Sequence, residues 1–173
     1  IATIVRDTVI LEFAPTLVCI VLAGVVGSKI ASELGNMRVS EQIDALEIMG
    51  INTKAYLVMP KIVAALIMIP LLVVISAVLG IWGGRIAGVM SGIIAPNIYD
   101  KGLIEGFKPY NVFFALVKGY TFAYIIASIS AYYGYFVKGG ALEIGRSSTR
   151  AVVVSCVAIL FADYILAALL LNE

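Results

Sequence analysis

Apolar residues run along this chain in stretches longer than a soluble helix needs, and charged residues gather in the intervals between them. The first stretch covers about residues 8–30, with Pro15 near its start and Glu12 as a charged intruder. The second covers about residues 56–94, nearly twice one bilayer crossing. Pro70 is placed to kink it, and tilt or a re-entrant end would absorb the excess. The third covers residues 112–137 and the last residues 151–171, the latter broken only by Asp163. A spanning helix needs about 20 mostly apolar residues, so four stretches qualify. The expected fold is all-α, a polytopic transmembrane helical bundle of about four spanning helices. A secretory signal is excluded, because the runs are internal, repeated and too long.

The polar intervals orient the spans. Lys29, Arg38, Lys54, Lys61, Lys138, Arg146 and Arg150 fall on one side, and Arg6, Lys101 and Lys108 on the other, with Arg85 near the end of its helix. Basic residues concentrate on the cytoplasmic side, which places residues 28–54 and 138–150 there and turns the tail, Asn172 and Glu173, outward. Pro96, Asn97 and Pro109 bracket an outer polar connection holding Asp100, Lys101, Glu105 and Lys108.

Residues 38–50 predict a short cytoplasmic helix with its own caps. Ser40 suits the N-cap, Glu41 the first turn, and Gly50 the stop after the last turn. Glu41, Asp44 and Glu47 recur every three residues on one side, with Ile43 and Leu46 roughly opposite. Helices that lie on lipid headgroups carry Lys and Arg on the polar face, whereas this one presents carboxylates. Docking into a groove of a soluble protein with basic residues is the better reading.

Composition agrees with the patterning: 62% of residues are apolar and 13% charged, with a mean hydropathy of +1.06, against about 45–50% and 25% for soluble domains. The net charge of +1 leaves no nucleic-acid footprint. There is no histidine, which removes the commonest general base and metal ligand. Cys19 and Cys156 each sit alone in an apolar run and read as packing residues rather than metal or redox ligands. No GxxxxGK[ST] loop occurs. The sequence therefore offers no catalytic constellation, metal site or cofactor site of its own, and energy must come from a partner or an ion gradient. Ile1 opens in mid-pattern, so the chain is expected to be part of a longer protein.

Four charges fall in or beside the spans: Glu12, Arg85, Lys118 and Asp163. Each costs about 2.5–3.5 kcal/mol at mid-bilayer, so partners are expected. At about 1.5 Å per residue, Lys118 and Asp163 both lie some 10 Å below the outer surface. They are expected to pair or share a polar network, with Arg85 and Glu12 also in the outer half. Such a network could be a structural ion pair or a polar feature of a transport pathway. Gly80, Gly84, Gly88 and Gly92 form a small-xxx-small ladder suited to close helix packing. The aromatics between Tyr120 and Phe136 read as packing and interfacial belt.

Residues 23–50, AGVVGSKIASELGNMRVSEQIDALEIMG, strongly resemble the signature of the MlaE-type permease family, which includes the chloroplast TGD-type permeases. The resemblance continues through YLVMP at 56–60, GIWGG at 80–84 and GGALEIGRSSTRAVV at 139–153, and reaches the Asp163 region. It implies a single transmembrane permease domain over residues 1–173, without the interfacial helix and first span that precede it in family members. It also implies that the helix near residues 40–49 is the coupling helix that docks onto a cytoplasmic ABC ATPase, using Arg38, Glu41, Asp44 and Glu47 as polar contacts and Ile43, Leu46 and Met49 as apolar ones. ATP and Mg²⁺ would be bound by that partner. The implied function is phospholipid transport in a multi-pass protein of the bacterial inner membrane. Its implied partners are a second copy of the permease and a periplasmic MCE-domain lipid-binding protein.

The sequence departs from the family in three places. Val25 stands where the family has Arg, with Lys29 one helical turn later; Asn52-Thr53 replaces Asp-Pro; and Lys61 replaces Arg. Two other classes compete with this reading. An ion-coupled secondary transporter would use Glu12 or Asp163 as proton carriers and show inverted repeats, and no convincing internal repeat is visible. A membrane-embedded enzyme would need a nucleophile and base, which the missing histidine and scattered serines disfavour.

Overall fold

The computed structural model describes residues 2–170, and every regular element among them is a helix. Four helices are long and apolar enough to cross a membrane: α1 (Ala2–Val39), α3 (Lys54–Met90), α5 (Pro109–Tyr135) and α6 (Ala141–Leu170). Two short helices join them, α2 (Gln42–Ile48) between α1 and α3, and α4 (Pro96–Ile104) between α3 and α5. The fold is an all-α polytopic bundle. The tail Asn172–Glu173 and the last residue of the fourth apolar run lie outside the described residues.

The spans outrun the apolar stretches that signal them. With 38 and 37 residues, α1 and α3 are each about 55 Å long, so their polar ends project beyond a hydrocarbon layer of about 30 Å. The polar run 138–150 is likewise mostly helix. Only residues 136–140 form a connection before α6 begins at Ala141, because a polar turn outside the bilayer continues its helix at no desolvation cost. Pro15 does not end α1: the turns over Val9–Leu17 are widened to the π form, which relieves the clash proline makes in an ordinary turn. The second apolar stretch is one helix through Pro70, and no re-entrant end forms. Past Met90 the chain turns at Gly92, whose φ of +69° favours glycine, and enters α4 with Pro96 at its first turn.

Helix α5 is the centre on which the other spans pack. Its buried positions recur as pairs every four residues, from Phe114 and Ala115 to Gly134 and Tyr135. Most are small: Ala115, Gly119, Ala123, Ala127, Ser130, Ala131 and Gly134 let neighbouring backbones come close. Phe122 and Ile126 fill the main core with Cys19, Ile69, Val73 and Ile159. Tyr120, Tyr124, Tyr132 and Phe136 point away from it. Cys19 and Cys156 are free thiols, Cys19 buried in this core and Cys156 packed against it.

Candidate functional site

Three groups of chemistry-bearing side chains stand out, one at each end of the bundle and one within it. At the first end, α1 stops where Glu41 takes a left-handed φ of +60° and its N–H donates to Arg38 O at 3.1 Å, while the Ser40 hydroxyl donates back to the Asn36 carbonyl at 2.7 Å and not forward into α2. The expected N-cap role of Ser40 is therefore corrected: Glu41 occupies that position with φ +60°. Gly50 does end α2. Its N–H donates to Glu47 O at 3.0 Å and the Ile51 N–H to Leu46 O at 3.1 Å, with Gly50 at φ +78°.

The acidic side of α2 is only partly available to a partner. Arg38 Nη1 lies 2.9 Å from Asp44 Oδ1 and 3.9 Å from Glu47 Oε1, and its guanidinium sits 5.6 Å from the Tyr135 ring centre. Glu47 Oε1 also accepts from the Tyr135 hydroxyl at 2.9 Å and from Thr53 Oγ1 at 3.2 Å, and those two hydroxyls are 2.6 Å apart. Arg38, Asp44 and Glu47 thus tie α2 to α1, α5 and the start of α3. Ile43 is buried within the chain and Leu46 is half-buried. One expectation is corrected here. Ile43 is no outward contact, because a short helix must sink one apolar residue into its own bundle to be held. Asp44 and Glu47 keep about half of their side-chain surface open, 50% and 48%, while Arg38 engages them. The outward surface consists of Glu41, Gln42, Ala45, Glu47, Ile48 and Met49, with Ile48 86% exposed. Sequence reasoning missed Ile48, although its position four residues beyond Asp44 and one before Met49 was available as a signal. It also missed Thr53 and Tyr135.

Within the bundle, Lys118 is fully buried. Its Nζ lies 2.8 Å from Glu12 Oε1, 2.6 Å from Asp163 Oδ1 and 3.1 Å from the Leu11 carbonyl, so its three protons meet three acceptors. The Phe114 ring centre is 4.8 Å away. Thr16 Oγ1, on the turn after Glu12, is 3.3 Å from both Glu12 Oε2 and Asp163 Oδ1. Helices α1, α5 and α6 are thereby joined at one depth by one cation and two carboxylates. Arg85 is not among them, and its place in the expected network is corrected. It pairs with Asp100 through Nε at 2.8 Å and Nη2 at 3.0 Å, because α4 folds back over the end of α3.

That contact belongs to the second end of the bundle. Arg6, buried at the start of α1, donates to the carbonyls of Leu103, Glu105 and Gly106 at 2.7, 3.1 and 3.3 Å, satisfying groups that the end of α4 leaves unpaired. Tyr99 is buried and donates to Ile81 O at 3.2 Å. The Arg85 guanidinium holds the Asp100 carboxyl below the usual carboxylate range.

The glycine ladder divides. A Cβ on Gly80 would sit 3.0 Å from Val9, and one on Gly84 3.0 Å from both Val5 and Tyr99, so these two admit α1 and α4. Gly88 has only Ile94 at 3.9 Å, and Gly92 is in the turn after the helix; neither carries close packing. The tightest approach lies elsewhere. A Cβ on Gly134 would be 2.6 Å from the Ala31 carbonyl oxygen, and one on Gly27 2.8 Å from Ser130 Oγ. No cluster of metal-ligating side chains occurs among the described residues.

Comparison with known proteins adds a match to the family described as Permease MlaE over residues 1–169. The chain is 40% identical over 166 residues to a probable ABC transporter permease protein of Rickettsia bellii (strain RML369-C), covering 96% of this chain and 64% of that protein. It is 38% identical over 155 residues to the probable ABC transporter permease protein slr1045 of Synechocystis sp., covering 90% and 59%. Over 155 residues it is 35% identical to the Arabidopsis thaliana protein TRIGALACTOSYLDIACYLGLYCEROL 1, chloroplastic, covering 90% and 44%. The chain spans less than two thirds of the length of these curated relatives.

Proposed function

The chain belongs to the MlaE permease family, and from that premise we propose that it is the membrane subunit of an ABC-type phospholipid transporter. In this reading a separate cytoplasmic ATPase binds ATP and Mg²⁺ and docks on α2. Two permease copies enclose the lipid pathway, and an MCE-domain protein on the α4 side of a bacterial inner membrane exchanges lipid with it. The permease itself carries out no chemistry. Family relatives named as ABC transporter permeases support the ATPase partner.

The observation that carries the reading is the build of α2. A seven-residue helix is too short to hold its shape alone. Here buried Ile43, the Arg38 clamp and the Glu47–Thr53–Tyr135 contacts hold it against three spans. It nevertheless leaves Ile48 and Met49 in the open. A force applied to that surface passes directly into α1, α3 and α5. Docking therefore relies on Glu41, Ile48 and Met49 more than on Asp44. The test is the double substitution Ile48→Asp/Met49→Asp in the complete complex. ATPase co-purification and ATP-dependent lipid transport should both fall at least about tenfold, while the permease stays folded. Unchanged co-purification and transport would remove α2 as the coupling element. The ion-coupled alternative is checked by the same assay: lipid movement driven by an ion gradient without ATP would favour it.

A further inference from the structure

One face of α6 is unused by the packing described above and has two distinct parts. At the α2 end, a cavity of about 250 Å³ lies between the end of α5 and the first turns of α6. Lys138, Glu143 and Arg150 line it, with the exposed rings of Tyr132 and Phe136 at its edge. Glu143 is neutralised by Arg146 at 2.8 Å. Lys138 and Arg150 have no ion-pair partner among the described residues, so the cavity keeps two uncompensated cations. Further along α6 is a wholly apolar groove of about 260 Å³ lined by Val157, Leu160, Phe161 and Tyr164.

The two parts share one stripe of the helix. Positions 143, 147, 150, 154, 157, 161 and 164 follow spacings of three and four residues, the interval that keeps side chains on one face. Val157 lies about 10 Å beyond Arg150 along the axis and Tyr164 about 20 Å beyond it. One leaflet of hydrocarbon is about 15 Å deep, so the groove opens within the α2-side leaflet at Val157 and its Tyr164 end lies just past the midplane. A cationic pocket rimmed by aromatic rings at headgroup level, continued by an apolar groove at acyl-chain depth, matches a single amphiphile. We infer that this face of α6 binds an anionic glycerophospholipid from the leaflet on the α2 side, its phosphate between Lys138 and Arg150 and one acyl chain in the Val157–Tyr164 groove.

Charge complementarity selects the occupant. A second copy of the chain would bring the same cations to the same depth, and a zwitterionic lipid would leave the positive charge unanswered. The inference rests on the membrane placement of α6 and not on lipid being the cargo, so it stands or falls apart from the transport reading.

The test is native mass spectrometry of the full-length permease in mild detergent with added phosphatidylglycerol or phosphatidylcholine. The wild type should retain phosphatidylglycerol in preference to phosphatidylcholine. Lys138→Ala/Arg150→Ala should lose that preference by about fivefold for each cation removed. Lys138→Arg/Arg150→Lys, which keeps both charges, should retain it. Leu160→Trp, which fills the groove, should weaken retention of either lipid without changing the mass of the assembly. Equal phosphatidylglycerol retention by the wild type and the double alanine variant would overturn the inference. So would a change of oligomeric mass in Leu160→Trp, which would make this face an interface between copies. ATP-driven transport, measured separately, reports on the cargo.

Discussion

Lys118 makes the heaviest demand of any side chain in the bundle, because it is a fully buried cation in a membrane-spanning helix. Its contacts with Leu11, Glu12 and Asp163 leave none of its protons unanswered. Removing it alone would leave two carboxylates facing each other, a loss of about 3–5 kcal/mol for a broken buried pair. Lys118→Met should therefore lower the Tm of the detergent-purified protein by many degrees. Lys118→Met/Glu12→Gln/Asp163→Asn should recover most of it, since the triple variant removes the charges together. Transport by the triple variant then separates the two roles: a stable but inactive protein assigns the cluster to the lipid pathway, and a stable active one assigns it to packing. A single variant as stable as the wild type would contradict the geometry. Gly134 makes a second demand at this scale. Its missing Cβ leaves room for the Ala31 carbonyl, so Gly134→Ala should cost about 1–3 kcal/mol and shift Tm downward. Gly88→Ala, with its nearest neighbour at 3.9 Å, should leave Tm within experimental scatter.

At the scale of elements, the four spans were readable because runs of 20 or more apolar residues admit little else. Their ends were not. Cap rules place Ser40 at the start of a helix, yet its hydroxyl bonds back into the previous one and left-handed Glu41 takes the cap position, since only the fold determines which helix end lies within reach. Depth along α5 and α6 placed Lys118 and Asp163 at one level, and the structure puts their charged atoms 2.6 Å apart. The same reasoning misplaced Arg85, because Asp100 looked like a loop charge before α4 brought it back over α3. Likewise the regular ladder of four glycines drew attention, whereas the tightest contact falls on Gly134, which belongs to no four-glycine spacing. The α4 tie also carries a pH signature. Arg85 lowers the folded-state value of Asp100, so the pair contributes stability at and above the ordinary carboxylate value of about 3.9 and loses it as pH falls through the lowered value. Wild type should be more stable than Asp100→Asn at pH 7, and the gap should close on acidification below about pH 4. A gap independent of pH would show that Asp100 acts through shape rather than charge.

For the whole molecule, the decisive quantity is which end faces the cytoplasm. Lys29, Arg38, Lys54, Lys61, Lys138, Arg146 and Arg150 sit toward the α2 end, and Arg6, Arg85, Lys101 and Lys108 toward the α4 end. The fold keeps the contrast: at the α2 end Arg38, Lys61 and Arg146 pair with Asp44, Glu33 and Glu143, leaving Lys29, Lys54, Lys138 and Arg150 without ion pairs among the described residues. Arg6 is buried against the carbonyls that end α4, and Arg85 is neutralised by Asp100, leaving Lys101 and Lys108 as the cations without ion pairs there among the described residues. The bias toward positive loops inside the cell therefore favours a cytoplasmic α2, where the proposed ATPase would dock. This orientation can be read directly in cells. With Cys19 and Cys156 replaced by alanine, Met49→Cys and Ile104→Cys each place one thiol on a well-exposed site, on opposite ends of the bundle. A membrane-impermeant maleimide added to intact bacterial spheroplasts should label Ile104→Cys and leave Met49→Cys unlabelled until the membrane is opened. The reverse pattern would place α2 outside, where no ATP-driven subunit could dock. The Ile48–Met49 surface would then need a different partner altogether.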